Sequence, residues 1–183
     1  MTEAAAGIDA SPWAARFAAL IPPGGTVLDL ACGGGRHVRL LRARGHPVVA
    51  LDRDLSRLGT PRDDTGVEAV EADLEDGSPW PLPGRLFAGI VVANYLHRPL
   101  FPVLVDSLAE GGVLIYETFA AGNERFGKPS NPDFLLKPGE LLEAVRGKLR
   151  VVAYEDGIVE SPRPVAIQRI CAIRAEITPA LPG

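Results

Sequence analysis

The segment Thr26 to Leu30 (TVLDL) runs without a break into Ala31-Cys32-Gly33-Gly34-Gly35, and this junction restricts the chain more than any other feature. The apolar residues fit a buried strand and the glycines end it. Val38, Leu40 and Leu41 then recur at helical spacing until Gly45 stops the run. A strand that enters a helix through a turn nearly free of side chains lets a ligand touch the main chain directly. Nucleotide, flavin and nicotinamide folds all use such a turn, so the glycines alone do not choose among them. Two details narrow the choice. Asp29 sits inside the strand end, where a carboxylate repels a pyrophosphate but can organise an amino-acid ammonium group, directly or through water. The third glycine of G-x-G-x-x-G is missing, because Val38 stands in its place. These residues suit a zwitterionic ligand better than a polyphosphate.

The remaining elements follow from periodicity and punctuation. Ser11-Pro12 with Trp13, Phe17, Leu20 and Ile21 reads as a capped amphipathic helix stopped by Pro22-Pro23. Strands are expected at 47–52, 67–73, 86–94 and 112–119, with a proline-rich loop at 77–84 and helices at 35–44 and 99–110. Leu86 to Asn94 is the most apolar of these strands and belongs at the sheet centre. Residues 120–137 lack periodicity, 138–145 reads as a helix, and 149–154 and 166–175 as two late strands. Alternating strands and helices over most of the length predict an α/β, Rossmann-like doubly wound, mostly parallel sheet, with the late pair supplying an antiparallel edge strand. The expected organisation is an N-terminal helical segment at 1–21, a main domain at 22–176 and a tail at 177–183. The N-terminal helix could cover a site or simply pack on the sheet.

Open sheets of this kind bind ligands at the carboxyl ends of their strands. Asp52 ends the second strand, placed to accept from ribose hydroxyls, and Asp73 ends the third, where an acid can accept from an adenine amino group while Leu74 covers the ring. Each acid alone is explicable as a helix cap or a solvated surface group. Three at successive strand ends form a pattern.

DLACGGGRH, LDRD, EADLEDGSPW and VVANYLHR, in this order, resemble the successive motifs of class I S-adenosylmethionine-dependent methyltransferases over about residues 20–175. FLLKPGELLEAV and ICAIRAE more narrowly resemble the small tellurite-resistance-type members. The resemblance implies the class I methyltransferase fold and S-adenosylmethionine as cofactor. It places Asp29, Ala31, Cys32, Gly33 and Gly35 around the methionine part, Asp52 and Arg53 on the ribose and adenine side, Asp73 and Leu74 at the adenine, and Asn94 at the methionine end. Where nucleic-acid amino-methylating relatives carry Asn/Asp-Pro-Pro-aromatic, this chain reads Ala93-Asn94-Tyr95-Leu96, which disfavours methylation of base amino groups.

Methyl transfer needs alignment more than proton chemistry, because the methyl carbon is already activated. Tyr95 and His97 follow the central strand and are the catalytic candidates, His97 as base or orienter. Its alternative is to buttress the next helix, as Tyr95's is to pack in the pocket wall. Arg98, Glu117 and Arg125 are the substrate-side candidates, with Glu117 pairing to Arg98 or Arg125 as structural support. The loop 120–137 is long enough to form a lid. Cys32 is a small turn residue here rather than a nucleophile.

The 183 residues are 46% hydrophobic and hold 19 basic and 23 acidic side chains. That suits one domain, and a net charge of -4 argues against gripping nucleic acid over a broad surface. The expected partner is a small-molecule methyl acceptor. No apolar run approaches the roughly 20 residues that span a bilayer, and the start carries acids rather than a signal peptide's bases, so a cytoplasmic location is expected. Cys32 and Cys171 stand far apart without ligands at metal spacing, so no metal site is expected. Two other readings stay open: a nicotinamide-dependent oxidoreductase, favoured by the glycine turn and Asp52, and a non-catalytic adenosylmethionine-binding protein.

Overall fold

The computed structural model describes residues 9–183, so the first eight residues of the 1–21 segment lie outside the described residues. Ser11 caps α1 (Pro12–Phe17), its hydroxyl accepting from the Ala14 N–H, and a 3-10 turn at Ala18–Leu20 carries the chain onward. β1 (Val27–Leu30), α2 (Arg36–Ala43) and β2 (Val48–Asp52) follow. β3 (Val67–Glu71), β4 (Phe87–Ala93), α3 (Leu100–Asp106) and β5 (Leu108–Phe119) come next, then α4 (Glu140–Val145), β6 (Arg150–Val159) and β7 (Val165–Ile173). Among the described residues no helix is long and apolar enough to cross a membrane.

The strands form one seven-stranded sheet in the order β3-β2-β1-β4-β5-β7-β6. Neighbours from β3 to β5 are parallel, while β7 runs antiparallel to both β5 and β6. The chain leaves β1 toward β2 and later lays β4 on the other side of β1, so the order reverses there and a crevice opens at the carboxyl ends. Strand alternation splits the core in two. Leu28, Leu30, Val49, Leu51, Ile90, Val92 and Tyr116 pack with α3 and α4, while Val27, Val48, Ala50, Val91, Val113 and Ile115 pack with α1 and α2. Helices on both faces make this a doubly wound α/β domain, with the apolar β4 at the centre as expected.

Three departures from the sequence reading have local causes. The helix expected over 99–110 ends at Asp106, because Ser107 O accepts from Phe87 N–H at 2.8 Å and Leu108 O from Arg174 Nη1 at 2.9 Å. Sheet bonds thus replace the next helical turn. Leu108 faces Phe87 while Val113 faces Gly89, so the intervening residues bulge out of the ladder. β6 continues past Tyr154 because β7 pairs with it as far as Val159, and β7, the antiparallel strand, lies one place in from the edge that β6 occupies. The β2–β3 and β3–β4 crossovers contain no α-helix, only 3-10 turns at Leu55–Arg57 and Thr60–Asp63 and the irregular proline-rich loop. Strand–helix alternation is therefore incomplete, and β3 stays half exposed.

α1 is part of the core. Phe17 is fully buried, its ring 4.5 Å from that of Trp13, and Trp13 Nε1 donates to Ile170 O at 3.3 Å. Phe17→Ala should cost about 3–5 kcal/mol in urea unfolding. A loss below about 1 kcal/mol, the level of a surface change, would mean that α1 is a detachable cover.

Candidate active site

Ala31 and Asn94 follow directly on β1 and β4, and both hold φ at 56°, the left-handed conformation that non-glycine residues rarely adopt. Among the described residues no other non-glycine does so, and such positions gather at functional sites. Asp52 Oδ2 accepts from the Gly33 N–H at 2.8 Å, and its Oδ1 from Asp54 N–H at 3.1 Å. The first bond ties the glycine turn to the end of β2. Beside it lies a cleft of about 420 Å³ lined by Ala31, Asp52, Arg53, Asp73, Leu74, Glu75, Asn94, Tyr95 and Phe134. A second hollow of about 530 Å³ is lined by Ala31, Cys32, Gly33, Gly34, Arg36, His37, Arg39, Arg57 and Asn94. Ala31 and Asn94 border both, so the two form one groove across the switch point.

Of the anticipated cofactor residues, Gly35 and Asp29 do not line the groove. Gly35 starts α2 at φ 71°, and a Cβ there would meet Leu58 Cδ1 at 2.8 Å, so its smallness serves packing. Asp29 lies beneath the turn on the α2 face, 1% exposed, with Oδ2 lacking any hydrogen-bond partner. Burial pushes its carboxyl up to about 7; the Val38 N–H and the Arg36 charge oppose this, and Asp52 adds to it. Its Oδ1 is 3.9 Å from His37 Nδ1. The Ser11 N–H donates to His37 Nε2 at 3.2 Å, which leaves the ring proton on Nδ1, facing Asp29. Burial and then Arg36 lower His37 to about 4, so it is neutral. Burial, Asp29 and Asp52 together push the Cys32 thiol far up, which removes it as a nucleophile.

The substrate-side expectations fare unevenly. Tyr95 lines the cleft; burial and then the neighbouring Glu75 raise its phenol, which stays protonated, and Tyr116 Oη donates to Tyr95 O at 2.8 Å to fix that backbone. His97 borders none of these hollows, and its carbonyl accepts from Leu100 N–H at the start of α3. Arg98 borders none of these hollows either. Its Nε and Nη2 grip Glu140 at 2.6 and 3.0 Å, and Nη1 and Nη2 donate to Asp133 O and Leu135 O. Burial raises the Glu140 carboxyl, but the Arg98 fork and the Lys137 N–H together hold it low. Glu117 pairs with neither Arg98 nor Arg125. It lies across from Arg169 on the α1 face, away from the groove. Arg125 turns back onto Gly122 O and the Phe126 ring.

Sequence reasoning missed Glu75, Phe134 and the three arginines of the second hollow. Glu75 was legible, one residue beyond Asp73-Leu74. Phe134 was not, because it reaches the cleft only through the fold of the loop. That loop is pinned: Asn123, 1% exposed, donates to Pro129 O and accepts from Ala166 N–H, while Arg98 holds the far side.

Two measurements follow. A raised carboxyl contributes stability that is full below its ordinary 3.8 and is lost as pH rises through about 7. The unfolding free energy of ligand-free wild type relative to Asp29→Asn should therefore fall across that window and flatten above it; a pH-independent difference would refute the buried acid. Arg98→Gln should lower stability by about 1–3 kcal/mol and speed amide exchange at 131–136. Unchanged exchange would show that the loop is held by other contacts.

No protein-family model matches the sequence, and no curated protein matches it. Solved structures do. TehB from Haemophilus influenzae superposes with a TM-score of 0.70 at 17% identity, over 87% of this chain and 61% of that one, so this chain spans under two thirds of its length. An S-adenosylmethionine-dependent methyltransferase from Mesorhizobium loti gives 0.67 at 21% identity, covering 86% and 95%. A TehB-like S-adenosylmethionine-dependent methyltransferase from Corynebacterium glutamicum gives 0.66 at 22%, covering 93% and 91%. The fold is the Rossmann-like fold of class I methyltransferases.

Proposed function

We propose that the chain is an S-adenosylmethionine-dependent methyltransferase acting on a small molecule by direct in-line transfer. The observation that carries this reading is the buried Asp29 oxygen without a donor, set beneath a glycine turn that Asp52 ties to the end of β2. A buried carboxylate oxygen left unpaired is costly, and an ammonium group linked to it through a bridging water would satisfy it. The groove's other groups fit the same ligand. Asp52 keeps lone pairs for ribose hydroxyls, Asp73 and Leu74 suit the adenine, and Arg36 and Arg57 border the hollow where a methionine carboxylate would lie. When bound, this cofactor supplies a methyl group already activated on a sulfonium.

The chain's own residues would then bind, orient and exclude water. Asn94 and Tyr95 border both the cofactor cleft and a further hollow, so they align the acceptor with the methyl group. Phe134 covers the junction from the loop. Tyr95 stays protonated and acts as wall and donor rather than base. The nicotinamide reading is less well supported, since Asp29, Asp73 and the missing third glycine count against it, Asp29 lying beneath the turn that would carry a pyrophosphate's negative charge.

Isothermal titration of S-adenosylhomocysteine should show one site, and Asp52→Ala should weaken it by about 1–3 kcal/mol through loss of charged hydrogen bonds and of the tie to Gly33. Absence of binding by folded wild type sinks the cofactor assignment; undiminished binding by the variant means the ribose is held elsewhere. Binding without transfer to any acceptor would favour the non-catalytic alternative.

A further inference from the structure

We infer that the methyl acceptor is a small amine, cationic in solution, held by Glu75 and the rings around it; this rests on the methyltransferase reading and narrows it. Past Asn94 the cofactor cleft passes into a hollow of about 290 Å³ lined by Glu75, Tyr95, Thr118, Phe119 and Phe134 among others. Three aromatic rings and one carboxylate border this small space. Ring faces carry partial negative charge and attract cations, and a carboxylate adds a charge-assisted hydrogen bond from an ammonium N–H.

The surrounding charges favour the same class of acceptor. Asp52, Asp73 and Glu75 line the adjoining cleft against a single cation, Arg53. The arginines nearest the loop are engaged elsewhere: Arg98 with Glu140 and two carbonyls, Arg125 with Gly122 O and the Phe126 ring. Lys128 borders only a shallower hollow outside Phe119 and Phe134. An oxyanion or carboxylate acceptor would therefore face Glu75 and Asp73 without a cation of its own. A neutral alcohol would forgo the charge attraction these groups offer. An ammonium group gains from every one of them.

The transfer balances. Glu75 takes a proton from the ammonium, which frees the nitrogen lone pair. That pair forms the N–C bond to the methyl carbon as its C–S bond breaks, and the C–S electron pair stays on sulfur, giving the thioether. The product leaves as an N-methylammonium, and the proton on Glu75 passes to solvent.

The test titrates the full chain, saturated with S-adenosylhomocysteine, with benzylamine, phenethylamine and n-butylamine and with the alcohol and carboxylate of each skeleton. The amines should bind about tenfold tighter than their alcohols, and the carboxylates should not bind measurably. Glu75→Gln should abolish the preference for amines. Phe134→Leu, which keeps an apolar side chain but loses the ring face, should weaken the amines about threefold or more and leave the alcohols unchanged. The tritiated methyl group of labelled S-adenosylmethionine should appear as an N-methyl group on the amine. Alcohols or carboxylates binding as well as amines to wild type, or an amine preference that survives in Glu75→Gln, overturns the inference while the cofactor reading stands. If Glu75→Gln instead loses affinity for S-adenosylmethionine relative to S-adenosylhomocysteine and keeps amine binding, the carboxylate serves the sulfonium and the inference is overturned. If S-adenosylhomocysteine itself does not bind, both readings fall.

Discussion

A carboxylate oxygen sealed from water with no donor is the most demanding group in this molecule, and the strand-end groove is arranged around that of Asp29. The layer between the sheet and α1/α2 is built mainly of apolar side chains. Into it the chain brings the Val38 N–H, the positive charge of Arg36 and the proton-bearing nitrogen of His37. His37 is set in turn by the Ser11 N–H, from the residue whose hydroxyl starts α1. One polar line thus joins the helix cap, α2 and the turn. Packing could be satisfied without it, which is why the unpaired oxygen reads as a feature of binding rather than of folding.

The acids at the strand ends have a second role. Asp52, Asp54, Asp73 and Asp76 each accept from the N–H two residues further on. These side chains turn the backbone as it leaves the strands, and Asp54 caps the 3-10 turn at Leu55–Arg57. The cap reading and the ligand reading of such acids are compatible, since a carboxylate that accepts one backbone bond retains lone pairs for another donor.

How much was legible in the sequence depended on how local the signal was. The glycine turn, the strand ends and the central β4 follow from short-range periodicity, and Asp52, Asp73, Asn94 and Tyr95 all line one cleft. The Ser107–Leu108 switch was not legible, because its cause is a pair of bonds to Phe87 and Arg174, distant in sequence. Arg98 and Glu117 were assigned from position at a strand end alone. Arg98's partner is Glu140, on a helix beyond the loop, and Glu117 follows the strand's alternation onto the opposite face. Phe134 had no signature, since an aromatic in a proline-rich loop is placed only by the loop's closure.

That closure separates two parts of the groove. Leu136 N–H donates to Phe119 O and Ala121 N–H to Leu136 O, so the excursion from β5 to α4 is fastened at its base, and Arg98 clamps it from outside the groove. The excursion's own residues on the groove, Pro129 and Phe134 among them, project from a stem whose fastening involves none of the residues that border the hollow at the glycine turn. The segment between Phe119 and Glu140 is in effect an interchangeable cassette. Its tip can be rewritten, by evolution or by an engineer, to reshape the hollow at Phe119 and Phe134 while the strand-end acids and the glycine turn keep their place.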